Sequence, residues 1–236
     1  MKRLLSTIRC DMRLQHRNGF YYATAVVVAF YALGLSQLHA AGTQLNLAWL
    51  LPAIVLNNLL ITTFYFIGAL VLLEKAEGTL AAQVVSPLRD REYLAAKVIT
   101  LAGLALAYNL AVVALIVGFG FGMLALIAGT GAAAALLVMA GFVVVARYDS
   151  INEYLLPSLP YAAGLLLPMV YVIGWESPLL YLHPLQAPLV LMQAAFTPVA
   201  AWQLVYGVLG SIVWLWLGAW LCQRMFQRYL VGRAGS

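Results

Sequence analysis

The sequence predicts an all-α protein that crosses a membrane several times, as its composition and the spacing of its apolar residues show. Hydrophobic residues make up 64% of the 236 residues and charged residues only 9%, with a mean hydropathy of +0.94. A soluble domain carries about 25% charged residues. The apolar residues form runs of about 20, which match a hydrocarbon core of about 30 Å, whereas barrel strands would show short alternating segments. We therefore expect one helical membrane domain over residues 1–236.

Six apolar runs are predicted to span the membrane. They are Phe20–Leu38, Leu47–Leu73, Tyr93–Val117, Met123–Ala146, Ile151–Gly174 and Ala201–Cys222. Three prolines lie in the fifth run, so a kinked helix is expected there. Residues 175–200 are apolar but interrupted by prolines, and we expect short helices that enter the outer leaflet from outside without crossing it.

The lysines and arginines predict the orientation of the chain. All 13 of them fall on one side of the six-span arrangement, and such residues favour the cytoplasmic side. Both termini are therefore predicted to be cytoplasmic, in a multi-pass protein of the inner (cytoplasmic) membrane. The net charge of +5 indicates contact with anionic headgroups of the lipid bilayer, and no basic face remains for nucleic acid.

The N-terminal arm, residues 1–19, has the pattern of an amphipathic helix at the inner membrane interface. Leu4, Leu5, Ile8 and Met12 share one stripe of this helix, and Asp11 lies off it. An apolar stripe beside a basic face is typical of a helix that lies in the plane of the headgroups. A plain basic flank of the first span is the alternative.

The residues that would support catalysis or metal binding are missing from the sequence. There is no phosphate-binding G-x-x-x-x-G-K-[ST], no G-x-S-x-G and no H-E-x-x-H, and the three histidines are far apart. All eight acidic residues are predicted at the membrane surfaces, whereas ion-driven carriers keep carboxylates within the membrane. We therefore predict no catalytic residues, no metal and no cofactor bound by this chain.

Neutral polar residues lie inside the predicted spans. Asn58, Thr62 and Tyr65 share one helix face, and Tyr161 and Tyr171 lie in the fifth span. Two interpretations stay open: hydrogen bonds between helices, or the wall of a path for an amphipathic substrate.

A charged segment, residues 74–92, separates the second and third spans. Gly78 allows the backbone to leave the second span sharply, Thr79 can cap the next turn, and Pro87 ends a short helix. The positions that form the pattern are Glu74, Glu77, Gly78, Thr79, Leu80, Val84, Val85, Pro87, Leu88, Glu92 and Lys97. An ordinary charged loop is the alternative interpretation.

This pattern resembles the coupling segment of the type 2 permeases of ATP-binding-cassette (ABC) transporters. Glu74 and Glu77 resemble the acidic positions, Gly78-Thr79-Leu80 the start of the coupling helix, Val84-Val85 its apolar pair and Pro87-Leu88 its break, while Glu92 and Lys97 resemble the pair leading into the third span. Ala81 departs from the family, which commonly has Glu there.

The resemblance implies an exporter permease whose charged segment contacts a separate cytoplasmic ATPase, which binds ATP and Mg. It also implies a dimer, most simply a homodimer, with the second and fifth spans lining the path, and a hydrophobic or amphipathic cargo such as a drug or lipid. An ATP-independent carrier and a membrane scaffold are the alternatives, and an intramembrane enzyme has no visible catalytic group.

Overall fold

The computed structural model describes residues 2–40, 47–79, 89–172, 174–175 and 177–231, and all regular structure within these ranges is helical. The α-helices are α1 (Lys2–Arg17), α2 (Phe20–Ala40), α3 (Leu47–Leu59), α4 (Phe66–Ala76), α5 (Asp90–Val117), α6 (Met123–Val145), α7 (Ile151–Leu165), α8 (Met169–Val172), α9 (Gln186–Ala194) and α10 (Ala201–Met225). A π-helix, Leu60–Tyr65, joins α3 to α4, a 3₁₀ helix covers Pro178–Leu182, and a second π-helix, Phe226–Val231, follows α10.

Helix α6 lies at the centre of the described structure. It packs against α5, α9 and α10, and against the second-span helices, including the first π-helix. Gly141 permits this last contact, because a Cβ atom there would lie 2.6 Å from the carbonyl oxygen of Phe64. Within a membrane no hydrophobic effect drives helices together, and small residues favour association because they let helix backbones approach closely.

Four of the predicted spans are long and apolar enough to cross a membrane. These stretches, Leu50–Ala76, Asp90–Val117, Met123–Val145 and Ala201–Arg228, correspond to the second, third, fourth and sixth spans. The first span lies on α2, of which Phe20–Gly34 forms a shorter apolar stretch. The count of six spans stays a prediction.

The prediction of one kinked helix over Ile151–Gly174 is wrong. Helix α7 continues through Pro157 and Pro160 but ends at Leu165, and a turn separates it from α8. Pro168 has no N–H to donate to the carbonyl of Gly164 four residues earlier. That carbonyl accepts from the backbone N–H of Leu167 at 3.1 Å and also contacts the Nε2 atom of His183 at 3.1 Å, so a side chain from the next segment helps to fix the end of α7.

The segment 175–200 contains the 3₁₀ helix and α9. Helix α9 has nine residues, and Gln186 to Gln193 are all buried, so it packs into the bundle and is too short to cross a membrane. Its place in the outer leaflet stays a prediction.

Candidate functional site

A buried ionic cluster joins three helices where the arm meets the two ends of the charged segment. It consists of Asp11 on α1, Glu74 on α4, and Tyr93 and Lys97 on α5. The ammonium of Lys97 donates to Asp11 Oδ1 at 2.6 Å and also to Glu74 Oε1, while the Tyr93 hydroxyl donates to Glu74 Oε2 at 2.6 Å. Asp11, Glu74 and Lys97 are 3%, 1% and 1% exposed, so the cluster is enclosed by protein.

The cluster holds two carboxyl groups against one ammonium. Asp11 Oδ2 has no hydrogen-bond partner among the described residues. Burial raises the pKa of Asp11 above its ordinary value, Lys97 offsets part of this, and Glu74 adds to it. Removing charges from water is costly unless they are paired. The cluster therefore has one carboxyl group more than the single charge of Lys97 can balance, and burial favours the protonated form of Asp11.

Helix α1 is docked on the bundle through polar side chains. Gln15 Nε2 donates to Thr100 Oγ1 at 2.9 Å, and both Gln15 and Asp11 are buried. Leu5 and Met12 are 54% and 47% exposed. The expected apolar stripe is thus partly free for contact with lipid, but Asp11, predicted on the polar face at the membrane surface, lies in the protein interior.

Four other residues of the predicted coupling pattern lie around this cluster. Glu77 pairs with Arg17 at 3.2 Å, and both side chains are solvent-exposed. Gly78 has a φ of +69°, which permits the sharp exit from α4. Thr79 Oγ1 donates back to the carbonyl of Glu74 at 3.2 Å. Glu92 accepts a hydrogen bond from the backbone N–H of Arg89 at 3.2 Å, at the start of α5.

The described residues of the predicted coupling pattern divide into residues on the protein surface and residues in its interior. Glu74 and Lys97 are enclosed, so in this conformation they position helices and offer no surface to a partner. Five positions of the pattern, Leu80, Val84, Val85, Pro87 and Leu88, lie outside the described residues.

A second ionic contact joins the end of α4 to the turn between α6 and α7. Lys75 Nζ donates to the carbonyl oxygens of Ala146 and Tyr148 at 3.2 and 2.5 Å and to the Asp149 carboxylate at 3.2 Å. The end of the second span is therefore linked to the third span through Glu74 and to the fourth and fifth through Lys75.

The five predicted path residues do not share one cavity. Asn58 donates to Asn109 Oδ1 at 3.0 Å, and Thr62 donates to the carbonyl of Asn58 at 2.9 Å, both fully inside the bundle. Tyr65 packs against Tyr154, with ring centroids 6.5 Å apart. Hydrogen bonding between helices thus describes Asn58 in this conformation, whereas Thr62 bonds to the preceding turn of its own helix.

The two tyrosines of the predicted fifth span lie elsewhere. Tyr171 is buried and accepts from Gln203 Nε2 at 3.3 Å. Tyr161 is 44% exposed and lines an apolar groove beside α7. The assignment of these residues to a substrate path stays a prediction.

Sequence reasoning missed the ionic cluster, although one signal pointed to it. Lys97 lies two turns into an apolar helix, and a charged group at that depth predicts an opposite charge nearby. Glu74 and Asp11 were the available partners, but their distances along the chain do not show that they meet.

Comparison with known proteins places the sequence of this chain in a family. Residues 2–234 match the profile of the "Fluoroquinolones export permease protein family". Two proteins named fluoroquinolones export permease protein, from two strains of Mycobacterium tuberculosis, are each 34% identical to this chain over 242 residues. The match covers 100% of this chain and 99% of each relative.

Proposed function

Because the chain belongs to the fluoroquinolones export permease protein family, we propose that it is the membrane-spanning subunit of an ABC exporter. A separate cytoplasmic ATPase supplies the energy, and residues 74–92 contact it. The subunit works as a dimer, most simply a homodimer, since six spans are half a transporter in the type 2 architecture that the sequence resembles. The substrate is a hydrophobic or amphipathic compound.

One observation carries this proposal: both ends of the charged segment are anchored in the bundle by buried charges. Glu74 and Lys97 are hydrogen-bonded to each other across the two ends, and Asp11 adds the arm. A displacement of the segment by a partner is therefore passed to α1, α4 and α5 together. Packed helices with fixed contacts move as units in such transitions.

Co-purification tests the partnership. The tagged full-length protein, expressed in its native cells and extracted in mild detergent, is expected to bring down a stoichiometric P-loop ATPase. Val84→Asp should abolish this, because it places a charge on a predicted apolar contact. Phe119→Asp is the matched control, since Phe119 is 79% exposed in the turn between α5 and α6, far along α5 from the charged segment. Absence of an ATPase from the wild-type preparation, or its retention by Val84→Asp, would contradict the proposal.

The names of the relatives give the first substrate to test. We propose fluoroquinolone-like compounds, which join an aromatic body to charged groups. Inverted membrane vesicles containing the permease with its ATPase should accumulate a fluorescent fluoroquinolone only when ATP is added. Accumulation that is independent of ATP would favour the carrier alternative.

A further inference from the structure

An apolar groove of about 510 Å³ lies between α6, α7 and α10, and residues just before α9 also line it. Val143 and Leu136 form its floor, and Trp214 and Leu221 form the α10 side. The groove is separate from the buried ionic cluster, none of whose four residues lines it. Its walls are apolar along most of their length, so its occupant has an apolar body.

One end of the groove carries a cationic side chain. Arg147 lines the groove just beyond the last residue of α6. It is exposed, and its guanidinium makes no hydrogen bond or ion pair with any residue of the described ranges. The neighbouring carboxylate of Asp149 is bound to Lys75. A guanidinium in this position is suited to a phosphate.

The length of the groove fits one leaflet of a bilayer. Along α6 it extends from Leu136 to Arg147, which is about 16 Å at about 1.5 Å per residue. The hydrocarbon core is about 30 Å thick, so one leaflet accounts for about 15 Å. The Lys/Arg distribution places Arg147 on the cytoplasmic side, where anionic headgroups attract basic residues.

We propose that this groove is a binding site for an anionic phospholipid of the cytoplasmic leaflet. An acyl chain lies along α6 between α7 and α10, and the phosphate contacts the guanidinium of Arg147. The site requires that the chain spans a membrane with Arg147 on the cytoplasmic side, and it does not depend on the identity of the energy source or the exported compound.

Native mass spectrometry of the full-length protein tests the site. The delipidated protein is mixed with dioleoyl phosphatidylglycerol or dioleoyl phosphatidylcholine, and the bound fraction is measured at increasing lipid concentration. We expect phosphatidylglycerol to bind more tightly, and Arg147→Gln to weaken it about fivefold, the size expected for one basic residue near the headgroups. Arg224→Gln is the matched control. Arg224 is an exposed arginine in the last turn of α10, it does not line the groove, and its guanidinium stacks on Trp220.

A second variant separates the apolar part of the site from its charge. Ala140 lines the groove, and Ala140→Phe should fill it and remove binding of both lipids at this site. Three results would overturn the proposal: equal binding of the two lipids, unchanged binding by Arg147→Gln, or full retention by a correctly eluting Ala140→Phe protein.

Discussion

At the scale of single residues, the ionic cluster carries one excess negative charge when Asp11, Glu74 and Lys97 are all ionised. Lys97 is the one ammonium that faces the two carboxyl groups of Asp11 and Glu74. Removing either carboxylate leaves a balanced pair, whereas removing the ammonium leaves two acids with no counter-ion. The three residues are therefore expected to differ sharply in tolerance to substitution, although all three are buried.

Lys97→Met is expected to lower the free energy of unfolding by about 3–5 kcal/mol, the cost of breaking a buried ion pair. Asp11→Asn should change it by less than about 1 kcal/mol, because the amide can still accept from Lys97 and cannot ionise. The raised pKa of Asp11 leads to the same expectation. The stabilising contribution of a group whose folded-state pKa is raised falls as the pH rises through that pKa.

Thermal unfolding of the variants in detergent, followed by tryptophan fluorescence, measures the difference. Lys97→Arg serves as the control that keeps the charge. Equal losses for Lys97→Met and Asp11→Asn would show that the cluster is not governed by its charge balance.

At the scale of elements, His183 connects the end of α7 to the segment that leads into α9. The backbone N–H of Leu185 donates to His183 Nδ1 at 3.2 Å, so Nε2 carries the hydrogen that is donated to the Gly164 carbonyl. Protonation of Nδ1 would break its hydrogen bond with the backbone N–H of Leu185. Burial lowers the pKa of His183 below its ordinary value of 6.5, in agreement with a neutral ring.

The hydrogen bonds of His183 are therefore expected to weaken, and the protein to become less stable, at acidic pH. Because the folded-state pKa is lowered, the unfolded chain binds more protons below pH 6.5, and stability falls as the pH drops from 6.5 towards the folded-state value. The apparent melting temperature should be lower at about pH 5.5 than at about pH 7.5, two values on either side of the ordinary histidine pKa of 6.5. His183→Gln can still donate to Gly164 and should lose this part of the pH dependence; an unchanged pH profile in that variant would contradict the assignment.

The contact between His183 and the end of α7 shows which parts of the fold can be predicted from the sequence. Runs of about 20 apolar residues predicted four long helices correctly, because hydropathy is a local property. The end of α7 was not predictable in this way, since the helix passes through Pro157 and Pro160 and stops before Pro168. His183 contacts the Gly164 carbonyl from outside the helix, and the sequence of α7 alone does not show this contact.

The candidate site shows the same division. The sharp exit of the chain at Gly78 followed from its place between a span and a charged loop, and its φ is +69°. The meeting of Asp11 with Lys97 did not, because 86 positions separate them along the chain and no periodic pattern relates them.

At the scale of the whole molecule, buried polar contacts attach the arm to α5. Its exposed pair, Arg17 with Glu77, contributes little because both groups are solvated. The buried bonds of Asp11 and Gln15 to α5 determine its position. Loss of both should release α1 while leaving the packing of α6 against α5, α9 and α10 in place.

The double variant Asp11→Ala, Gln15→Ala is therefore expected to expose the arm to trypsin at Arg9 and Arg13 without unfolding the bundle. Under the proposed function, the complex should keep its ATPase and continue to hydrolyse ATP, but export should fall, because the arm no longer moves with α4 and α5. Leu5→Ala is the control, since the Leu5 side chain is on the same helix and is 54% exposed. If cleavage stays slow and export is retained, α1 is held by its apolar contacts and the buried polar bonds are dispensable.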